Sequence, residues 1–144
     1  MRIISAALLA LAGVGGLAAG PATGLEVSGA WIRWLPANLP AAGYLTLTNK
    51  GAVPAVLVGA SSPDYGQITL HQTRTVHGVS DMVPLDSLSV AVNASVDFAA
   101  QGYHLMLMQS RRPLHSGDRV SVTLRFSSGR SMIASFEVRA AAAN

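Results

Sequence analysis

The sequence predicts an all-β protein, a single-domain Greek-key β-sandwich or barrel. Three observations predict it. After about residue 25, apolar and polar residues alternate with period two, and no stretch keeps a useful helical period. Gly, Pro, Asn, Asp and Ser break the alternation at regular intervals, which marks eight or so short strands. The roughly 120 residues that carry the pattern suffice for one hydrophobic core without covalent staples. They contain no internal repeat, low-complexity stretch or second domain.

The first segment, 1–24, reads as a cleaved secretory signal peptide, and 25–144 as the folded domain. Met1-Arg2 starts it with positive charge, 3–17 is apolar apart from Ser5 and three glycines, and 18–24 is small and turn-prone. Cleavage is expected between Ala22 and Leu25. No later stretch reaches the ~20 apolar residues a membrane-spanning helix needs.

The first expected strand, 26–34, stops before a loop bounded by Pro36 and Pro40. The next, 44–49, turns Leu45 and Leu47 inward, and Lys50-Gly51 ends it. The stretch 55–61 is apolar on both faces, as a central strand would be. Strand 67–73 carries His71. Segments 85–92 and 95–98 are shorter, and 103–109 carries His104 and Met106. In 119–126, Val120, Val122, Leu124 and Phe126 alternate with polar residues. Met132, Ala134, Phe136 and Val138 do the same in the last strand, and Ser127-Ser128-Gly129-Arg130 joins the two as a hairpin.

Composition narrows the function. There is no cysteine, which excludes disulfides and thiolate metal sites. Ten basic and seven acidic side chains give a net charge of +3, and they are scattered singly apart from Arg111-Arg112. Such a balance affects solubility and does not suggest a nucleic-acid partner. No nucleophile–base arrangement or nucleophile elbow is visible, so the chain is not expected to be an enzyme.

Four residues carry chemistry: His71, Met82, His104 and Met106. Two imidazoles and two thioethers form a soft, neutral donor set, which suits Cu(I) better than zinc, calcium or magnesium. His71 shares a strand face with Gln67 and Thr69, opposite Ile68 and Leu70. His104 and Met106, two residues apart, project from one face, while Tyr103, Leu105 and Leu107 take the other. Met82 lies in Ser80-Asp81-Met82-Val83-Pro84, which reads as a loop able to close over an ion. Each residue also has an ordinary reading, as a surface histidine or a packing methionine. Met108 faces the same way as Met106 and reads as lining or packing. His77 and His115 sit at turns as solvated residues, with His77 a conceivable accessory contact. Trp31, Trp34 and Tyr44 fit core or rim equally. Asn93-Ala-Ser95 matches a glycosylation sequon, a short pattern frequent by chance.

The spacing His71-x10-Met82-x21-His104-x-Met106 resembles the signature of the periplasmic PCu(A)C copper chaperones. Its surroundings are similar too: Trp31-Ile32-Arg33, the Ala-Gly-Tyr-Leu-Thr-Leu-Thr-Asn of 42–49, His-Leu-Met-Leu-Met at 104–108, and Pro-Leu-x-x-Gly-Asp at 113–118. The resemblance covers nearly the whole domain. It implies a cupredoxin-like sandwich holding one Cu(I) near its surface through His71, Met82, His104 and Met106. It also implies delivery of copper towards the CuA centre of cytochrome oxidase, with an oxidase subunit or another copper chaperone as partner. Location would be periplasmic and the protein a monomer. Two departures stand out. Gln72 follows the first histidine where many members have Met, and 140–144 lacks the His- and Met-rich tail that gives some members a second copper. A single site is expected.

Other readings stay open at this point. A metal-free secreted interaction module would use the same scaffold, and a periplasmic buffering or tolerance protein would use the same four residues. A blue-copper electron carrier lacks its cysteine.

Overall fold

A computed structural model describes residues 24–36 and 39–141. The expected leader lies outside the described residues, apart from Gly24, as do 142–144. Among the described residues ten strands run in chain order: β1 (Leu25–Trp34), β2 (Ala41–Asn49), β3 (Ala55–Ser62), β4 (Tyr65–Val76), β5 (Val79–Pro84), β6 (Leu88–Val90), β7 (Ser95–Asp97), β8 (Tyr103–Ser110), β9 (Arg119–Phe126) and β10 (Ser131–Ala140). The order β4-β8-β2-β1-β10-β9-β3 returns to β4 through the β3–β4 pairing, so seven strands close a mixed barrel. β1 and β10 run parallel; the other strand pairings are antiparallel. β5 extends outward from β4, β6 edges β3, and β7 pairs with β2.

Alternation explains the barrel's filling. Leu45, Leu47, Leu57, Leu105, Leu107, Val120, Val122, Leu124, Phe136 and Val138 come from strands around the ring and are almost wholly buried. Each is followed by a residue that faces outward, as period two demands. At Gly43 a Cβ would stand 3.1 Å from Leu107 Cδ1 and 3.2 Å from Leu105 Cβ. Its missing side chain lets two large leucines of β8 fill the interior. The end of β2 is pinned by buried Asn49. Its Nδ2 donates to the carbonyls of Val53 and Val90, and its Oδ1 accepts from the Gly51 N–H. That fixes the turn expected at Lys50-Gly51.

Three expectations are corrected. The stretch 85–92 yields only the three-residue β6, because an Asn49–Asn93 backbone bond and a turn take over at its end. Strand 55–61 is central, with β9 on one side and β6 and β4 on the other, but it does not bury both faces, since Val58 and Ser61 are exposed. Most consequentially, Met82 is not in a loop. β4 runs on to Val76, and β5 folds back on it in register from Val76↔Val79 to His71↔Pro84. The turn is His77-Gly78, both with positive φ, 51° and 76°. Two left-handed residues between paired strands match the twist of a tight hairpin.

Candidate metal centre

The antiparallel register of β4 and β8 assembles the site. His71 lies directly opposite His104, and Thr69 opposite Met106. Paired residues share a face, so His71, Thr69, His104 and Met106 all stand outside the barrel wall, with Leu70, Leu105 and Leu107 on its inner side. Thr73, two residues beyond His71 on the same face, is paired with Met82 of β5. Three neighbouring strands thus carry all four expected ligands on one surface.

Their depth differs. His104 is buried, with 3% of its surface exposed, whereas Met82 is 60% exposed; His71 and Met106 are intermediate. The two imidazole rings stack with centroids 5.7 Å apart and planes at 26°. An ion about 2 Å from a nitrogen of each ring, the usual metal–imidazole distance, needs centroids roughly 5–6 Å apart. His104 and Met106 flank that point along β8. Met82 lies one strand beyond β4 and two residues along, so strand spacing and rise put its Cα about 12 Å from that of His104. The register brings His71, His104 and Met106 together and leaves Met82 at the rim.

Hydrogen bonding at the site is conspicuously incomplete. Among the described residues, four buried side-chain polar atoms lack a partner, and three belong to this pair: Nδ1 of His71 and both ring nitrogens of His104. Leaving a buried polar atom unsatisfied costs about 1–3 kcal/mol. Each neutral ring has one lone pair, the form in which imidazole ligates a metal, so the two facing rings can offer one donor nitrogen apiece. The fourth nitrogen, Nε2 of His71, lies 2.8 Å from the Thr69 hydroxyl. Burial, and then the neighbouring His104, hold the His71 pKa below its ordinary value of 6.5. Both effects favour the neutral, ligating ring. No group of three or more His, Asp or Glu gathers among the described residues.

Of the three aromatic residues that sequence could not place, Trp31 and Tyr44 form one wall of this face, while Trp34 lies elsewhere, among Leu39, Tyr65 and Leu107. Trp31 and Tyr44 are in register across β1 and β2, with ring centroids 4.9 Å apart, and Arg139 stacks over Trp31 at 5.1 Å. The β2–β8 register, Gly43↔Leu105 and Ala42↔Met106, continues by one residue to set Tyr44 beside His104. Tyr44 is buried and Trp31 half-buried. Neither bears a motif that reveals this; a bulge between Ser28 and Trp31 decides which face Trp31 takes. His77, at the hairpin tip, is roughly 20 Å along the strand from His71 and stands apart from the site. His115 is an exposed turn residue near Asp118. Met108 continues the outer row of β8, opposite Gln67.

Comparison with known proteins matches this chain to the LpqE-like lipoprotein family over residues 25–138. It is 36% identical over 109 residues to a protein of Leifsonia xyli subsp. xyli (strain CTCB07) named "Putative lipoprotein Lxx21020". That match takes in 75% of this chain, which spans about two thirds (65%) of the length of that curated relative. Among solved structures, Cu(I)-bound DR1885 from Deinococcus radiodurans is 30% identical, with a TM-score of 0.61 over 87% of this chain and 83% of that one. The copper-bound PCuAC domain from PmoF2 shares the fold at 20% identity, with a TM-score of 0.68 over 82% and 94% of the two chains.

Proposed function

The chain belongs to the LpqE-like family, of the PCuAC type and not of enzymes, and from that premise we propose that it is a Cu(I) metallochaperone of the cell envelope. It takes one Cu(I) per chain at His71, Met82, His104 and Met106 and hands it on during assembly of the cytochrome oxidase CuA centre. The observation that carries the reading is the facing His71–His104 pair, whose three orphaned nitrogens share a sheet face with the Met106 thioether.

Two neutral nitrogens and two neutral sulfurs leave the charge of the ion uncompensated. That favours Cu(I), whose filled d shell accepts soft donors and low coordination, over Cu(II). His71, His104 and Met106 sit on adjoining barrel strands and form the fixed part of the site. Met82 closes it from the β4–β5 hairpin, which must bend towards β8 to bring the sulfur within reach. Release reverses the order. A donor group of the acceptor binds as Met82 lets go, and the ion passes by ligand exchange without being freed to solvent. The exposure of Met82 favours handover over a buffering role, since a store gains by burying all its ligands.

Export is part of this reading. No helix long and apolar enough to cross a membrane occurs among the described residues.

The test is a Cu(I) titration of the domain against a chromophoric Cu(I) chelator, reduced and anaerobic. One equivalent should be withdrawn from the chelator, and Met106→Ala should lose at least tenfold in affinity, about 1.4 kcal/mol. Mixing the loaded protein with an apo CuA domain should then transfer the ion. Failure to compete with the chelator would leave the chain a metal-free interaction module.

A further inference from the structure

Resting on that reading, we propose that Thr69 is a positioning residue that selects the nitrogen by which His71 takes copper. Its hydroxyl accepts the Nε2–H of His71, which leaves the Nδ1 lone pair for the ion. The two atoms lie 2.8 Å apart, and the residues are two apart on one strand face. The opposite arrangement, with Thr69 donating to Nε2, would put the ring proton on Nδ1. That atom is buried and has no acceptor. The cost of an orphaned N–H then has no compensation, whereas an orphaned lone pair is repaid when a metal binds.

Placement supports the role. Thr69 is paired with Met106, as His71 is with His104, so its hydroxyl lies within the quadrilateral of side chains that holds the ion. A threonine on a strand has a stiff χ1. It can therefore fix the imidazole plane as well as its proton. The ring enters the copper complex already in the required tautomer.

The experiment compares the whole domain with Thr69→Val, which keeps the shape and deletes the hydroxyl, and with Thr69→Ser, which keeps the hydroxyl. Two-bond proton–nitrogen NMR on the metal-free protein at pH 8 reads the tautomer directly. His71 should be Nε2–H in the wild type and in Thr69→Ser, and a mixture of tautomers in Thr69→Val. Loading with Cu(I), which is diamagnetic, should move the Nδ1 resonance of His71 and leave Nε2 protonated. Chelator competition should show Thr69→Val weakened about 10–100-fold, the usual effect of losing such a partner. Thr69→Ser should regain most of that loss. A wild-type His71 in the Nδ1–H form, a Cu(I)-induced shift at Nε2, or a Thr69→Val variant with wild-type affinity would each overturn the assignment to Thr69. A wild type that takes no Cu(I) would instead overturn the copper function itself, and the proposal with it.

Discussion

His104 is a residue whose solitary chemistry works against the fold. Both its ring nitrogens are buried without partners on a strand whose neighbours, Leu105 and Leu107, are packed core. Replacing an unsatisfied buried polar group by an apolar one of similar size is neutral or stabilising. His104→Leu should therefore abolish Cu(I) binding yet leave the apo domain as stable as the wild type or more so, by about 1–3 kcal/mol. Urea denaturation of both proteins without metal checks this; a large destabilisation would mean the ring has a structural partner. His71 sets the pH response. Its folded pKa lies below 6.5, so the folded state takes up this proton later than the unfolded chain. The stability it contributes is complete above 6.5 and is lost as pH falls through the folded value. Copper competes with the same proton. Cu(I) affinity should accordingly hold down to about 6.5 and decline in the acidic range below it, as chelator competition at stepped pH would record. His71→Gln should flatten the apo stability slope in that window.

The β4–β5 hairpin is the element that separates a closed site from an open one. It stands beyond the barrel ring, is exposed at Val76, Val79 and Met82, and is held largely by its own backbone ladder. Its turn needs Gly78 at φ 76°, a conformation in which a Cβ is strained. Gly78→Val should cost about 1–2 kcal/mol locally. Hydrogen exchange should speed at the amides of residues 79–83 and remain unchanged in β9 and β10. Copper transfer tests the same element from its other side. Met82→Ala should leave most of the affinity, because the fixed ligands lie on β4 and β8, and should alter the transfer rate to an acceptor. An unchanged affinity together with an unchanged rate would remove Met82 from the cycle.

At the scale of the molecule, closure of the seven-stranded ring supplies the rigidity the site borrows. Phe136 on β10 is fully buried across the interior from β2 and β8, and its ring lies 3.6 Å from where a Cβ of Gly43 would stand. Phe136→Ala should destabilise the domain by about 3–5 kcal/mol. Because the site depends on the register of β4, β8 and β2, copper affinity should fall with it once the cavity loosens that wall. Conversely, an ion bound only by the folded state stabilises by mass action. Free Cu(I) at 100 times its dissociation constant should add about 2.7 kcal/mol, seen as a rise in Tm that His104→Leu lacks.

The period-two pattern, the turn residues and the His-Met spacing determined much of this protein from sequence alone. The strands 119–126 and 132–139 and their Ser127–Arg130 hairpin are where alternation places them. His104 and Met106 lie on one face because residues two apart on any strand do. Alternation, however, reports which face a residue takes and not which strand lies beside it. Only the tertiary pairing decided that β4 and β8 are neighbours in a register that sets His71 against His104. Only it put Trp31 and Tyr44 on the same surface, through a bulge that shifts the phase of β1. Met82 escaped the pattern for a related reason. β5 and the end of β4 are exposed on both faces, so their order comes from backbone hydrogen bonds, which leave no mark on the hydrophobic periodicity. Chemistry was written in side-chain type, and geometry came from strand pairings made across distances the local sequence does not encode.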